Sequence, residues 1–318
     1  MATFDPFEGF GDAEEIVGRL SDADPAVRRL AVIDLSETAT PDVLLHLLAM
    51  VEDSDAAVRL QVAIAFGDFD TVDAAGGLVK LVMDPDGSVA SAAADSLAEL
   101  KDPAAAPPLL SLGTHPDAFV RASGFRGLKG LRSRIALGPA LNAMSDESAQ
   151  VRAEALGVIA YLKLEETLPS LIAATRDADA SVRAEAVNAL SFTKQLAAAT
   201  AVAAALRDDV WQVRAAAAQS LGRIGQAFAV GSLVAGLADE YWQVRQKCLS
   251  ALGSLKAQSA VADISAQLAS DLPSLRKEAA AALGEIADPS ARELLMAHAS
   301  DTDPDVRKTV RWALTRIG

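Results

Sequence analysis

Apolar and polar positions recur along this chain with a period of 31 residues. A valine-like residue returns ten times at that interval without an insertion, at Val27, Val58, Val89, Val120, Val151, Val182, Val213, Val244, Leu275 and Val306. In every copy a small or β-branched residue follows four positions later, and a large apolar residue follows eight positions later. These spacings place the side chains on one stripe of an α-helix. The pattern therefore predicts a helix around each valine-like position.

A second apolar stretch lies about eleven residues before each valine-like position, as in "VLLHLL" and "AVGSLVAGL". Each copy should therefore form two antiparallel helices joined by a short turn. One such pair cannot bury both of its faces, so the pairs must stack on one another. We expect an all-α fold, a right-handed α–α superhelix of ten hairpins over residues 12–318, preceded by an arm over residues 1–11.

Charged residues recur in the turn between the two helices. An aspartate lies five positions before the valine in eight copies, and an arginine follows the valine in nine, with Ala90 as the exception. These charges can form a ladder of charge-assisted hydrogen bonds along the turn edge. We assign this structural ladder to Asp22, Arg28, Asp53, Arg59, Asp146, Arg152, Asp177, Arg183, Asp208, Arg214, Asp239, Arg245, Asp301 and Arg307. Asp24 and Asp303 should cap the helices that follow them.

The aspartate, the Val-Arg pair and the "AxxxLG" pattern after it resemble the HEAT repeat, in the short form named after phycobilisome lyases. The resemblance covers residues 12–318. It implies an α-solenoid, but it does not define an activity, because such repeats occur in lyases, adaptors, regulators and assembly factors. A phycobilin-lyase-like accessory protein that handles a cofactor or its apoprotein is therefore the alternative to a binding protein.

Composition supports close-packed helices: apolar residues make up 51% of the chain and aromatic residues only 4%. No apolar run approaches the roughly 18 to 20 residues that span a bilayer, and "MATFDPFEGF" has no secretory-signal pattern. These features favour a cytoplasmic protein without a membrane contact. Cys248 is the only cysteine of the sequence, which excludes an intrachain disulfide and favours a small buried residue.

The formal net charge of −14 is unevenly distributed. Residues 1–120 contain 22 acidic and 6 basic residues, whereas residues 121–318 contain 21 and 23. An acidic surface repels phosphate backbones, so nucleic acid is an unfavourable partner. The front part of the chain is instead suited to a protein or peptide partner with a basic surface.

The sequence offers no pattern typical of an active site. His46, His115 and His298 lack the spacing of a metal pair and are not followed by glutamate, unlike the paired His-Glu motifs of HEAT-type di-iron hydroxylases. No glycine-rich phosphate loop is present. The groove is not uniformly basic, in contrast to HEAT-like DNA glycosylases. We therefore expect no enzyme activity, catalytic residue, metal or cofactor.

The resemblance implies that the second helices line the concave face. There, the positions three, six and ten after the valine should face a partner. In the middle copies these positions hold Ser123, Arg126, Gly130, Glu154, Gly157, Tyr161, Glu185, Asn188, Phe192, Ala216, Gln219, Arg223, Lys247 and Ser250. This mixed lining is typical of a surface that binds proteins or peptides. Alternatively, Tyr161 and Phe192 close the end of the core.

Aromatic residues interrupt the polar turn in two neighbouring copies. Trp211 and Trp242 lie two positions before the valine, and the preceding cap position holds Val210, Tyr241 and then Leu272 in three successive copies. Each lost cap costs about 0.5–2 kcal/mol. These five residues should form one apolar patch on the turn edge that binds a partner. Alternatively, each ring seals the core of its neighbour.

Three phenylalanines in the N-terminal arm, Phe4, Phe7 and Phe10, present a similar choice. They either cover the exposed end of the first helix pair or dock onto another protein. Together the patterns predict a non-catalytic protein-binding scaffold: an adaptor, regulator or assembly factor.

Overall fold

A computed structural model describes residues 13–38 and 41–317 of the chain. Twenty α-helices and no β-strand occur within these ranges, which confirms the predicted all-α class. The predicted arm over residues 1–11 lies outside the described residues. The chain divides into two compact units, Met1–Leu162 and Lys163–Gly318.

The described part of the first unit contains five helix pairs. Their bounds are α1 Ala13–Arg19, α2 Pro25–Thr38, α3 Pro41–Ala49, α4 Ala56–Ala65, α5 Val72–Leu81, α6 Gly87–Glu99, α7 Ala106–Leu109, α8 Ala118–Leu131, α9 Leu137–Ala143 and α10 Ala149–Leu162. Each even-numbered helix packs against the next even-numbered helix, so the second helices of the repeats form one layer.

The second unit repeats this arrangement with five further pairs in its described residues. Their bounds are α11 Leu168–Ala174, α12 Ala180–Ala189, α13 Leu196–Ala204, α14 Trp211–Ile224, α15 Val230–Ala235, α16 Trp242–Ser254, α17 Val261–Ala266, α18 Pro273–Ile286, α19 Arg292–Ala297 and α20 Pro304–Ile317. Short 3₁₀ turns such as Gln258–Ala260 and Gly236–Ala238 extend the first helices. Helices α12, α14, α16, α18 and α20 again form one layer.

The predicted apolar stripe forms the core of each repeat. In α4, for example, Val58 and Val62 are fully buried, and so is Phe66 immediately after the helix. Burial of such side chains is the main favourable contribution to folding. The small residue four positions after the valine lies at the helix contact, as Ala217 and Cys248 do with no exposed surface.

Aspartate caps fix the start of several second helices. Asp55 accepts hydrogen bonds from the amides of Ala57 and Val58, at 2.9 and 3.3 Å. The predicted cap Asp24 accepts from Ala26 at 2.8 Å, and Asp303 accepts from Asp305 at 2.9 Å. These bonds satisfy amides that have no partner within the helix, and they fix the turn that carries the ladder.

Candidate functional site

The ladder joins each turn to the next turn through one guanidinium group. Arg28 donates from Nε and Nη2 to the Asp53 carboxylate, at 2.8 and 2.7 Å. Its Nη1 donates at 2.9 Å to the carbonyl oxygen of Asp22 in its own turn. One arginine thus binds the backbone of its own repeat and the side chain of the following repeat, a bidentate geometry that suits guanidinium and carboxylate.

The same geometry recurs within both units. The bidentate contacts join Arg28 to Asp53, Arg59 to Asp84 and Arg121 to Asp146 in the first unit, and Arg183 to Asp208, Arg214 to Asp239 and Arg276 to Asp301 in the second. Arg152 donates to the carbonyl oxygen of Asp146 at 2.9 Å, and Arg307 to that of Asp301 at 2.6 Å. Asp177 accepts from Arg183 Nη1 through its carbonyl oxygen at 2.9 Å. The ladder is therefore built between successive repeats.

These contacts change the acidity of the aspartates. The hydrogen bond from Arg28 lowers the pKa of Asp53, and that from Arg183 lowers the pKa of Asp208. For Asp301 the bond from Arg276 lowers the pKa to about 2. A second bond from the backbone amide two residues later contributes in each turn. The ladder aspartates are therefore stable as anions, as their structural role requires.

The ladder is interrupted at two points within the described residues. In the first unit Ala90 replaces the arginine, and His115 replaces the aspartate that would have received it. In the second unit Ser270 replaces an aspartate, but its arginine, Arg245, is retained. Sequence analysis identified the two columns of charge but not this mismatch, because the pairing partners belong to different repeats.

The turn-edge patch, defined as Val210, Trp211, Tyr241, Trp242 and Leu272, lies in the second unit. The rings of Trp211 and Tyr241 are stacked, with centroids 5.7 Å apart and planes at 17°. The guanidinium carbon of Arg214 lies 5.6 Å from the centroid of the Tyr241 ring. The structure thus joins Trp211 of one turn to Tyr241 of the next, and places both against the ladder.

Three successive repeats expose part of this patch. Tyr241, Trp242 and Leu272 keep 39%, 40% and 39% of their surface exposed, whereas Val210 and Trp211 are half-buried. The helices that follow Val210, Tyr241 and Leu272 have no side-chain cap. The patch combines local packing with exposed apolar surface, so features of both sequence hypotheses are present.

The predicted face of the second helices holds paired charges in the first unit. Arg126 binds Asp95 at 3.0 Å, and Glu154 lies 3.4 Å from Lys129. Tyr161 is exposed, and the guanidinium carbon of Arg132 lies 5.7 Å from its ring centroid. The prediction was wrong for Ser123, which is buried because its hydroxyl donates at 2.8 Å to the carbonyl oxygen of Phe119 one turn earlier.

In the second unit the same face contains an open polar depression of about 240 Å³. Gln219, Arg223 and Lys247 line it, with Gly222, Ser250, Ala251 and Ser254. Arg223 is exposed and Gln219 and Lys247 are half-buried. One repeat earlier Asn188 is exposed, and Glu185 and Phe192 are half-buried. The side chains offer amide, cationic and aromatic contacts to a polypeptide.

The described residues form no group of three or more histidine, cysteine or acidic side chains that could hold a metal ion. None of the described helices is long and apolar enough to cross a membrane. Burial raises the pKa of the Cys248 thiol to about 12, so this cysteine is protonated at neutral pH.

Stacked hairpins with a repeated charge ladder define the class of helical-repeat proteins. The chain belongs to the HEAT-repeat family, whose model matches residues 13–82, 44–129, 137–222, 198–281 and 230–315. The match confirms the predicted repeat type.

Solved structures share the fold at low sequence identity. An engineered protein is 21% identical, with a TM-score of 0.51, and 96% of this chain aligns with 99% of that chain. Kap95p, described as binding RanGDP, is 14% identical with a TM-score of 0.64, and Kap95 in a complex with Nup1 is 13% identical with a TM-score of 0.66. In both, 96% of this chain aligns with 50% of the Kap95 chain, so it spans about half of their length. A comparison with curated proteins found no match.

Proposed function

We propose that this protein is a non-catalytic, cytoplasmic scaffold that binds a protein or peptide, as an adaptor, regulator or assembly factor. The observation that carries the proposal is the turn-edge patch, where three successive repeats expose large apolar side chains. Exposed apolar clusters with aromatic residues are typical of protein-binding surfaces. The described binding of Kap95p to RanGDP gives a precedent on a similar fold.

Two further surfaces contribute to binding in this proposal. The polar depression beside Arg223 and Lys247 supplies hydrogen bonds and positive charge. The acidic residues of the front 120 positions suit a basic region of a partner. Apolar contacts provide most of the affinity, and charges set orientation and association rate.

The proposal is tested by affinity capture from a cell extract with the wild-type chain and with a Trp242→Ala, Leu272→Ala double variant. Both side chains are well exposed, so their removal should reduce retention of specific partners by about tenfold while the melting temperature changes little. Phe228→Ala removes another exposed aromatic side chain of the second unit and is the matched control. Equal retention by all three proteins would contradict the proposal.

The alternative is a phycobilin-lyase-like accessory protein, which follows from the resemblance to the short lyase-type repeat. A pigment-handling protein should change the absorbance spectrum of an added tetrapyrrole and should purify coloured. We expect no spectral change, and a stoichiometric change would favour the alternative.

A further inference from the structure

We propose that Arg245 binds a carboxylate side chain of a partner polypeptide, at the rung where the second unit's ladder lacks an aspartate. The inference rests on the proposed function and names the chemistry of the partner: an acidic residue flanked by apolar residues. The partner's carboxylate takes the place that an aspartate of the following repeat fills elsewhere in the ladder.

Arg245 has the ladder position but not the ladder contact. Its Nε is buried and meets no hydrogen-bond acceptor among the described residues. Its Nη1 lies 3.4 Å from the carbonyl oxygen of Asp239, whereas the equivalent atom of Arg214 lies 2.8 Å from that of Asp208. Each guanidinium N–H can donate a hydrogen bond, so Arg245 retains an unused donor. An unpaired cationic donor in a partly buried site is unfavourable until an anion reaches it.

The missing acceptor is explained by the next turn. Ser270 occupies the position that Asp301 holds one repeat later. There, Asp301 accepts from Nε and Nη2 of Arg276, each at 2.8 Å. The Ser270 hydroxyl is shorter and uncharged, and it accepts the amide of Leu272 at 3.3 Å. Serine therefore retains the backbone contact of the turn but not the ion pair with the preceding arginine.

The ladder gap in the first unit shows a different solution. Ala90 and His115 replace both partners together, so that rung has neither the arginine nor the carboxylate. An open depression of about 300 Å³ lies there, bordered by Met83 and Phe119. Since only the carboxylate is replaced at Ser270, that gap keeps a positive charge that a partner can pair.

Exposed apolar side chains flank Arg245. Trp242 lies one helical turn before it in α16, on the same side of the helix. Leu272 is the repeat equivalent of Tyr241, whose ring lies against the guanidinium of Arg214. We therefore expect Leu272 to lie beside the guanidinium of Arg245. A ligand that covers Trp242 and Leu272 excludes water from the ion pair, which strengthens it.

The chain itself indicates which anion fits. Six ladder arginines among the described residues bind a planar carboxylate through Nε and Nη2. Arg245 occupies the same position in its repeat, so an aspartate or glutamate side chain matches its donors. The apolar surface on either side requires apolar neighbours in the partner sequence.

The first test supplies the missing carboxylate from within. Ser270→Asp should complete the rung and raise the melting temperature by about 2–4 °C. His115→Asp introduces the same side chain at the equivalent position of the first-unit gap, where Ala90 provides no guanidinium, and should not raise it. If Ser270→Asp has no more effect than His115→Asp, Arg245 does not have a free carboxylate site and the inference is overturned.

The second test uses a capped pentapeptide array with a central aspartate between leucine, phenylalanine or tryptophan residues, and the same array with asparagine. The wild-type chain should bind its best aspartate peptides about tenfold more tightly than their asparagine versions. Ser270→Asp should lose this preference, and Arg245→Met should lose it as well. Equal binding of both arrays by the wild-type chain would refute the site.

The two proposals fail in different ways. If Trp242→Ala with Leu272→Ala abolishes capture of cellular partners but Ser270→Asp leaves it intact, the scaffold function stands and the carboxylate site is wrong. If the double variant retains its partners, the scaffold surface itself is wrong. The array experiment uses defined peptides, so it does not depend on knowing the natural partner.

Discussion

A single rung of the ladder shows how one residue couples two repeats. Asp301 accepts two hydrogen bonds from Arg276 and one from the amide of Asp303, at 2.9 Å, and its side chain is only 6% exposed. The carboxylate therefore fixes its own turn and binds the preceding repeat at the same time. Charge-assisted bonds of this kind are about twice as strong as neutral ones.

Asp301→Asn should reduce stability in a pH-dependent manner. The folded-state pKa of Asp301 is about 2, below the value of roughly 3.9 for an unfolded chain. A lowered folded-state pKa stabilises the protein above the unfolded value, and this contribution is lost as the pH falls through the folded value. The difference in unfolding free energy between wild type and variant should be largest above about pH 4 and should shrink toward pH 2. Urea unfolding across this range measures it.

Asp305→Asn is the matched control, because the Asp305 side chain is 70% exposed and lies 3.7 Å from Lys277. Exposed pairs contribute about 0–1 kcal/mol, so this variant should differ little from wild type at any pH. A pH-independent loss in Asp301→Asn would mean that the contact is not ionic.

At the residue scale, the sequence predicted which positions carry charge but not which charges are satisfied. The aspartate and arginine columns are visible because they recur every 31 residues. Whether Arg245 has an acceptor depends on Ser270, which lies in another repeat and is a ladder partner only in the folded chain. Ser123 illustrates the same limit, since a hydroxyl on the helix can bond to the carbonyl oxygen one turn earlier and become buried.

At the element scale, the apolar stripe was sufficient to predict the second helices, because burial of one face decides helix formation in a repeat. The first helices were harder to delimit. Helix α7, for example, has only four residues, Ala106–Leu109, and includes Pro107 and Pro108, which have no amide to donate. Alanine- and glycine-rich sequence elsewhere does not distinguish α from 3₁₀ geometry, so the 3₁₀ turns were not predicted.

Close approach of the second helices depends on glycine. A Cβ atom at Gly253 would lie 2.9 Å from the Ala282 Cα atom of the neighbouring helix α18. Gly253→Ala should therefore separate α16 from α18 and destabilise the chain by about 1–3 kcal/mol. Gly231 in α15 is the control, because a Cβ atom there meets nothing within 4 Å. Gly231→Ala should be neutral or stabilising by up to about 1 kcal/mol.

Thermal unfolding by circular dichroism compares the two glycine variants directly. The sign should differ between them although the substitution is the same, since only one site faces a neighbouring backbone. An equal loss in both would indicate that helix spacing is not the cause.

At the scale of the whole molecule, strict periodicity made the fold predictable and the partner unpredictable. The recurring positions are those that hold the repeats together, so they carry no information about what is bound. The departures from the pattern do: the replaced caps at Val210, Tyr241 and Leu272, and the unmatched pair Arg245 and Ser270.

The charge asymmetry along the chain predicts two classes of partner that salt should separate. Contacts to the acidic residues of the front 120 positions are electrostatic and exposed, and the Debye length falls from about 10 Å at 0.1 M salt to about 3 Å at 1 M. Apolar contacts at the turn-edge patch are not weakened in this way. Partners with basic surfaces should therefore elute from the immobilised chain by about 0.5 M salt, and partners lost in the Trp242→Ala, Leu272→Ala variant should remain bound.

A double-stranded DNA oligonucleotide is the control for this elution. Nucleic acid binding depends on phosphate neutralisation by cations, and an acidic surface opposes it, so the oligonucleotide should not be retained even at low salt. Retention of the oligonucleotide, or elution of every partner at one salt concentration, would show that the acidic front does not form a separate binding surface. Two elution steps with opposite dependence on salt and on the patch variant would assign each partner class to its surface.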